Sequence, residues 1–560
     1  MLPLHHGWTV RGSRKGGDTE MTEERAWHTT SGIPLKPHYS AEDVPVDWDP
    51  GAAPGRSPFV RGAYPEMYRS QLWRIFQLSG YGDPADMNER LKFLLAAGET
   101  GIIVKHDRMT DDHLYDVDHP EIVERREDVG LTGTVTVGLR DYETIMDGIP
   151  IEEVYTKPGG GVPQAAPYTQ SCFWSVALNR GLDWSDIRGT GQSDFFLTYV
   201  GCPTREQIPP EAALRFNIDL IEWCTERMPK WVPVSIAGYN GADSGLDAVQ
   251  ELGAVFANAI EYIDATLARG NLDVEDFVYG IGGMNFRTTM DIFEDAAKLR
   301  AARKIWSDLL LKRYGVQDER ARRLRIHIVT AGSYMTYQEP VNNIVRGTVM
   351  ALTAALGGTQ SLGVSGYDEA MSIPGDHAHL MSIRIQQILQ EETNLAAVAD
   401  PLGGSHYVEH LTSEIEQRVL AYMDEIASRG GFAAVVDDGW LIQEAARTQA
   451  AFFDDIESGD RPIVGVNTHT IDDPLMTVEG FEGRSGAETW ERAMTRLADI
   501  RRTRDEQTTR RALQDLRTTL AGDDNIVPAV MDAVQADATI GEIGEAFRDV
   551  LGDWRPPIRF

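Results

Sequence analysis

The residues best placed to do chemistry in this 560-residue chain are Tyr239 and Asn240, which close the segment Ser235-Ile236-Ala237-Gly238-Tyr239-Asn240. A phenol offers an aromatic face and a hydroxyl, whereas a carboxamide donates and accepts hydrogen bonds but neither carries charge nor delivers a proton. Val232 to Ile236, after Met228-Pro229-Lys230-Trp231, alternates β-branched with small residues and predicts a buried strand. Beyond the Gly-Tyr-Asn turn, Asp247 to Arg269 has the apolar spacing of a helix. A polar pair at the carboxyl end of a buried strand is where a parallel α/β barrel puts its chemistry. Other strand candidates end the same way, so the pattern predicts an enzyme.

Those side chains need a scaffold, and its rhythm is legible from Phe59 to about Gly431. Short β-rich runs are expected at Gly101 to Lys105, Thr134 to Val137, Val232 to Ile236, Leu324 to Val329 and Gln360 to Val364. Helices are expected at Pro84 to Ala97, Leu214 to Glu226, Asp247 to Ala268, Met290 to Arg313 and Asn342 to Leu356. Strand–helix alternation of this length, with about eight units, predicts a parallel (β/α)8 TIM-type barrel over residues 59–431. An open doubly wound sheet is the competing fold, but Gly280-Ile281-Gly282-Gly283 lacks the GxGxxG spacing that fold uses for dinucleotides.

Residues 1–58 read as a tail and extended N-terminal arm. Met1 to Glu20 is basic and Gly-rich without an apolar signal-peptide core, so it reads as a flexible tail or an upstream start, with Met21 the working one. Residues 22 to about 58 are polar and Pro-rich, as suits an arm wrapping something larger. Residues 432–560 read as a helical C-terminal extension. There Trp440 to Ser458 and Gly486 to Leu520 predict charged helices whose Arg501, Arg502, Arg510 and Arg511 form a solvated face. Asn525 to Val550 is mildly amphipathic, fit to cap the barrel or dock a partner.

With 86 Asp and Glu against 53 Lys and Arg, the formal charge of −33 argues against a nucleic-acid binder. No apolar run is long enough to span a membrane. Cys172, Cys202 and Cys224 have neither CxxC spacing nor a disulfide pattern, and read as buried small apolar residues in a reducing cytoplasm. No residue is read as a metal ligand; Asp376-His377-Ala378-His379 reads as a surface loop.

Longer motifs carry a resemblance. Arg61-Gly62-Ala63-Tyr64-Pro65-Glu66-Met67-Tyr68, Tyr115-Asp116-Val117-Asp118-His119-Pro120, the Ala-Lys-Leu-Arg-Ala-Ala-Arg core within Phe286 to Trp306, Leu356-Gly357-Gly358-Thr359-Gln360-Ser361-Leu362 and Asp400-Pro401-Leu402-Gly403-Gly404-Ser405-His406 stand in order along the chain. Through them the chain resembles the large, substrate-binding subunit of the methylmalonyl-CoA mutase family, most of all the isobutyryl-CoA and 2-hydroxyisobutyryl-CoA mutase branch. The resemblance implies an isomerase in which a barrel confines a radical rearrangement of an acyl-CoA driven by adenosylcobalamin. Full-length members carry an Asp-x-His-x-x-Gly motif whose His ligates cobalt; none of the thirteen His here sits in one. A separate small cobalamin-binding subunit bearing that motif is therefore the implied partner, and a G-protein chaperone a further one.

The resemblance also distributes roles. Tyr239 matches an aromatic between substrate and adenosyl group, while His327, Gly332, Gln360, Glu369 and Ser372 match cofactor-facing positions. Tyr64, Met67, Gln71, Arg74, Leu78, Gln192 and Cys202 match substrate-binding positions. Several depart from the pattern. Asn240 stands where a His ordinarily binds the thioester carbonyl, and Leu78 where acyl specificity is set, which argues against methylmalonyl-CoA. The carboxylate-clamping Arg falls near Cys202, with Arg205 a candidate replacement; two CoA-gripping arginines align with Gln71 and Phe76, with Arg69 and Arg74 close by. Lys105, His106 and Lys157 are new polar groups at strand ends, suited to an anionic or carbonyl group or to proton transfer. Against that, Lys105 is expected to pair with Asp107, Asp111 or Asp112 and leave the pocket. Two further readings stay open: a mutase of this lineage whose substrate lacks coenzyme A, and a non-catalytic barrel that scaffolds a cobalamin subunit.

Overall fold

The computed structural model describes residues 27–46, 48–159, 161–201, 207–471, 478, 480–481 and 483–555. The expected tail at Met1 to Glu20, the start at Met21, Cys202 and Arg205 lie outside the described residues. Ten strand segments follow one another: β1 (Arg74–Ile75), β2 (Leu78–Ser79), β3 (Gly101–Val104), β4 (Tyr155–Lys157), β5 (Gly189–Thr190), β6 (Trp231–Val232), β7 (Ile236–Ala237), β8 (Gly283–Thr288), β9 (Arg325–Thr330) and β10 (Ser361–Gly363). They form two five-stranded sheets, ordered β1-β10-β9-β8-β7 and β2-β3-β4-β5-β6. Every ladder is parallel. The protein is thus an α/β fold of parallel sheets with helices outside.

Two short breaks join the sheets. Only Phe76 and Gln77 separate β1 from β2, and only Pro233-Val234-Ser235 separates β6 from β7. Pro233 has no N–H to give a ladder, which accounts for the second break. Around the first, Arg74 N and Phe76 N donate to Gln360 O and Leu362 O (both 3.0 Å) in one direction. In the other, Ile75 O accepts from Thr100 N (3.1 Å) and Ser79 O from Lys105 N (2.8 Å).

Register sorts side chains by face, because successive strand residues point to opposite sides. Leu78, Ile103 and Lys157 are register partners, as are Arg74, Ser361, His327 and Asn285. All seven line one cavity. Their neighbours Ile102, Ile236 and Leu362 point the other way and are buried in the main core. The outer helices have clear local causes: Asp83 and Asp247 each form a capping box, and Gly98, Gly270 and Gly315 end helices in the left-handed conformation.

Helices Pro84–Ala97, Ala248–Arg269, Ile292–Tyr314 and Asn342–Leu356 lie within two residues of expectation. Other expectations need correction. Thr134 to Val137 is no strand; beyond one bridge from Thr134 to His106, Val135 and Val137 pack in a loop against Ala493, Leu497 and Ile500. Gly486 to Leu520 is two helices, Gly486–Thr503 and Glu506–Ala521, because Asp505 caps the second. Asn525 to Val550 likewise holds Val527–Gln535 and Ile540–Leu551, parted where Asp537 takes φ 56°. Asp376-His377-Ala378-His379 opens helix Asp376–Glu391, and His379 is buried rather than in a surface loop.

Helices Glu506–Ala521, Val527–Gln535 and Ile540–Leu551 share the main core, with Phe547 edge-on to Phe216 at 4.9 Å, while Gly486–Thr503 packs in a smaller cluster and its Arg501 pairs with Asp116 at 2.9 Å. Arg501 therefore binds protein rather than serving only as a solvated face. The described part of the arm lies on the outer helices, with Thr30 N on Asp291 (3.1 Å) and Tyr39 against Tyr407 (4.8 Å).

Candidate active site

Between the sheets lies a cavity of about 1160 Å³. It reaches the amino ends of strands, where Arg74, Tyr155, Trp231 and Arg325 line it, and the carboxyl ends, where Lys157, Thr190, Thr330 and Gly363 do. A cavity lined from both strand ends suits an extended ligand more than a compact one.

At the carboxyl end, Tyr239 and Asn240 sit in the short helix Gly238–Asp243 directly after β7, and both line the cavity. A buried carboxylate that sequence reading missed fixes this turn. Asp194 accepts from Ala237 N (2.6 Å), Asn258 Nδ2 (2.7 Å), Phe196 N (3.0 Å) and the Tyr262 hydroxyl (3.2 Å). Burial lifts its pKa to about 6, against the opposing pull of those bonds. Beside the turn, Asp243 accepts from Ser333 Oγ (2.8 Å) and pairs with Arg287 (3.1 Å). Gly332, Glu369 and Ser372 line the same end, and Ser372 Oγ accepts from Phe481 N (2.8 Å). Although open to the cavity, Glu369 is ringed by protein; desolvation, then the charges of Asp243 and Asp368, raises its pKa to about 7. A side chain at position 332 would come within 3.3 Å of Glu369 Oε1, so glycine there keeps that carboxyl clear. A carboxyl poised between donor and acceptor beside a bare backbone turn fits the hydroxyls of a nucleoside, and hence the adenosyl part of adenosylcobalamin.

The amino end is different in character. Tyr64, Met67, Gln71 and Arg74 line it from the 3-10 turn Met67–Arg69 and the start of β1. Arg74 lies 4.5 Å over the Tyr155 ring, while Arg325 and Arg320 lie 4.1 and 4.8 Å over Tyr279. With Lys230, which pairs with Asp186 at 3.0 Å, these make a mouth rich in cations in a chain of strongly negative charge. Gln360 also belongs to this end: its Oε1 accepts from Ile326 N and its Nε2 donates to Gly358 O, both at 2.8 Å. Its amide is thus spent on backbone, away from Glu369 and Gly332. His327 sits midway, with Nδ1 at 2.9 Å from Ser361 Oγ. Desolvation and then Lys157 push its pKa to about 3, so its ring is neutral.

The side wall settles where the new polar groups lie. Lys105 and Lys157 line the cavity beside Leu78; His106 and Gln192 do not. His106 is 2% exposed and points behind the sheet, with Nε2 at 2.8 Å from Pro158 O and 3.0 Å from the Tyr142 hydroxyl, and Nδ1 at 3.2 Å from Asp111. That alternation was legible, since neighbours in a strand face opposite ways. Gly159, at φ 109°, packs so tightly that a Cβ there would fall 1.8 Å from His106 Cδ2. The expected pairing of Lys105 with a nearby Asp is not formed. Asp107 accepts from Gly130 N and Thr110 N, Asp111 from Thr136 and faces His106, and Asp112 pairs with Arg108. Lys105 Nζ instead donates to His106 O at 2.6 Å, and Lys157 Nζ to Gln192 Oε1. Gln192 acts on the site through that lysine.

Comparison with known proteins accords with this arrangement. The family model described as methylmalonyl-CoA mutase matches residues 28–553. Methylmalonyl-CoA mutase of Rhizobium meliloti is 34% identical over 95% of this chain and 73% of its own. Human mitochondrial methylmalonyl-CoA mutase is 34% identical over 98% of this chain and 72% of its own. The 2-hydroxyisobutanoyl-CoA mutase large subunit of Aquincola tertiaricarbonis is 33% identical over 94% of this chain and 92% of its own. No helix among the described residues is long and apolar enough to cross a membrane. The chain belongs to the methylmalonyl-CoA mutase family of cobalamin-dependent acyl-CoA mutases, and is an isomerase.

Proposed function

We propose that this chain is the substrate-binding subunit of a cytoplasmic adenosylcobalamin-dependent mutase that rearranges the carbon skeleton of an acyl-CoA other than methylmalonyl-CoA. The observation that carries this reading is the cavity reaching both strand ends, cationic at one and bearing Tyr239, Asn240 and Glu369 at the other. We read the two sheets as one closed eight-stranded barrel, in which β1–β2 and β6–β7 are two strands that each change partner midway; the two- and three-residue breaks support this. Coenzyme A then enters at the amino end, its phosphates held by Arg320, Arg325 and Lys230 with Arg74 nearby. These cations also weigh for coenzyme A over a substrate without it.

The acyl thioester lies at the carboxyl end, where Asn240 donates to its carbonyl oxygen and the Tyr239 ring packs over it. Leu78, 43% exposed and facing the cavity, presents an aliphatic wall to the acyl group. Above it, Gly332, Glu369 and Ser372 would hold adenosylcobalamin, which when bound supplies one-electron chemistry through homolysis of its cobalt–carbon bond. This chain's part is to bind, orient and keep water from the reacting carbons. Cobalt is carried, in this reading, by a separate small subunit with an Asp-x-His-x-x-Gly motif, docked on the carboxyl-end face and serviced by a G-protein chaperone. Coverage of 92% of a relative named a large subunit supports that division.

The test combines the purified chain, its small subunit, adenosylcobalamin and a set of acyl-CoAs. We expect a product of unchanged mass and shifted retention, formed only when both subunits and the cofactor are present. Formation of that product by the chain alone, or its absence with every thioester tried, would overturn the proposal.

A further inference from the structure

Resting on the reading of the cavity as an acyl-CoA site, we propose that the acyl group carries its own carboxylate, held between Lys105 and Lys157. Lys157 is the last residue of β4 and the register partner of Ile103; Lys105 follows Ile103 by two, so both ammonium groups leave adjacent strands on the same face. That face is the cavity wall, and both lysines line it. Among the described residues neither makes an ion pair. Asp107, Asp111 and Asp112, the acids nearest in sequence to Lys105, are committed to backbone, hydroxyl, imidazole and guanidinium groups. Each ammonium instead gives one hydrogen bond to a neutral oxygen, His106 O or Gln192 Oε1. An ammonium has three protons to give, so capacity is left over on both.

Keeping both amines charged in a partly desolvated wall, beside Leu78 and Ile103, is costly unless an anion joins them. Desolvation and then the charge of Lys105 accordingly lower the Lys157 pKa to about 7. A bound carboxylate would supply the missing countercharge and accept from both. Position tells which part of the ligand holds it. The cations suited to coenzyme A phosphates, Arg320, Arg325 and Lys230, lie at the amino ends of the strands. Lys105 and Lys157 lie at the carboxyl ends, with Asn240. The anion therefore belongs to the acyl group. Behind the wall, the His106 carbonyl takes Lys105 and its ring reaches Pro158 O, one residue past Lys157, so the chain just beyond β3 is tied to the end of β4.

The experiment is calorimetric titration of the purified chain with free coenzyme A and three matched pairs of thioesters. The pairs are malonyl- against propionyl-CoA, succinyl- against butyryl-CoA, and glutaryl- against pentanoyl-CoA. We expect at least one diacid to bind ten-fold or more tightly than its monoacid partner. In Lys105→Met/Lys157→Met that preference collapses, while retained affinity for free coenzyme A reports that the variant is folded. No preference in any pair, or a preference that survives the double substitution, overturns the inference and leaves the acyl-CoA reading standing. Failure of every thioester and of coenzyme A itself to bind overturns both.

Discussion

Replacing Asn240 by alanine is expected to lower turnover by about 10²–10³-fold, the usual cost of losing one preorganised donor to a developing oxyanion-like carbonyl. Asn240 stands at the carboxyl end of β7 on the cavity wall, where an amide N–H can meet a thioester oxygen without carrying charge. The substitution removes a donor and leaves the turn, so the thermal midpoint should move little. Asn240→His, which keeps a donor, should recover most of the lost rate, whereas Asn240→Asp, which offers an acceptor at neutral pH, should not. Steady-state kinetics on the four proteins checks this: equal rates for Asn240→Ala and the parent would remove Asn240 from the reaction.

The second large effect is expected at a residue that never touches substrate. Asp194→Ala strips the acceptor from Ala237 N, Phe196 N, Asn258 and Tyr262, all buried. Orphaning buried donors costs about 1–3 kcal/mol each and is not additive, so a loss of about 3–5 kcal/mol is expected in denaturant unfolding. Because Ala237 is two residues before Tyr239, turnover should fall as well, with the larger change in kcat than in KM. Asp194→Asn, which keeps the shape but turns one acceptor into a donor, should fall between. A variant as stable as the parent would mean that Asp194 does not anchor this turn.

Much of this arrangement was legible before any coordinates. Long helices such as Ala248–Arg269 and Asn342–Leu356 announce themselves through sustained apolar spacing, and the turn after Ile236 carries Tyr239 and Asn240 where a parallel sheet exposes polar groups. Strands β4 and β5, of three and two residues, are too short to show a period of two, and Gly283–Thr288 was masked by its glycine-rich approach. Thr134 to Val137 misled because β-branched residues serve a packed loop as well as a strand.

The site was read unevenly for similar reasons. The family resemblance marked Glu369 as cofactor-facing, and Lys105, His106 and Lys157 stood out as polar groups at strand ends without a face assigned to them. Alternation carried on past the end of β3 puts Lys105 inward and His106 behind, and Gln360 spends its amide on Ile326 and Gly358 at the end opposite Glu369. Asp194 escaped because its partners are 43 to 68 positions away except for Phe196, and no local pattern encodes such a hub.

Everything here depends on one passage between the sheets taking a thioester lengthwise. Determining the structure of the chain with a bound acyl-CoA tests that most directly. Phosphates are expected beside Arg320, Arg325 and Lys230, and the thioester carbonyl within hydrogen-bond reach of Asn240. Density for coenzyme A on the outer surface, or with its phosphates at the Tyr239 end, would contradict it.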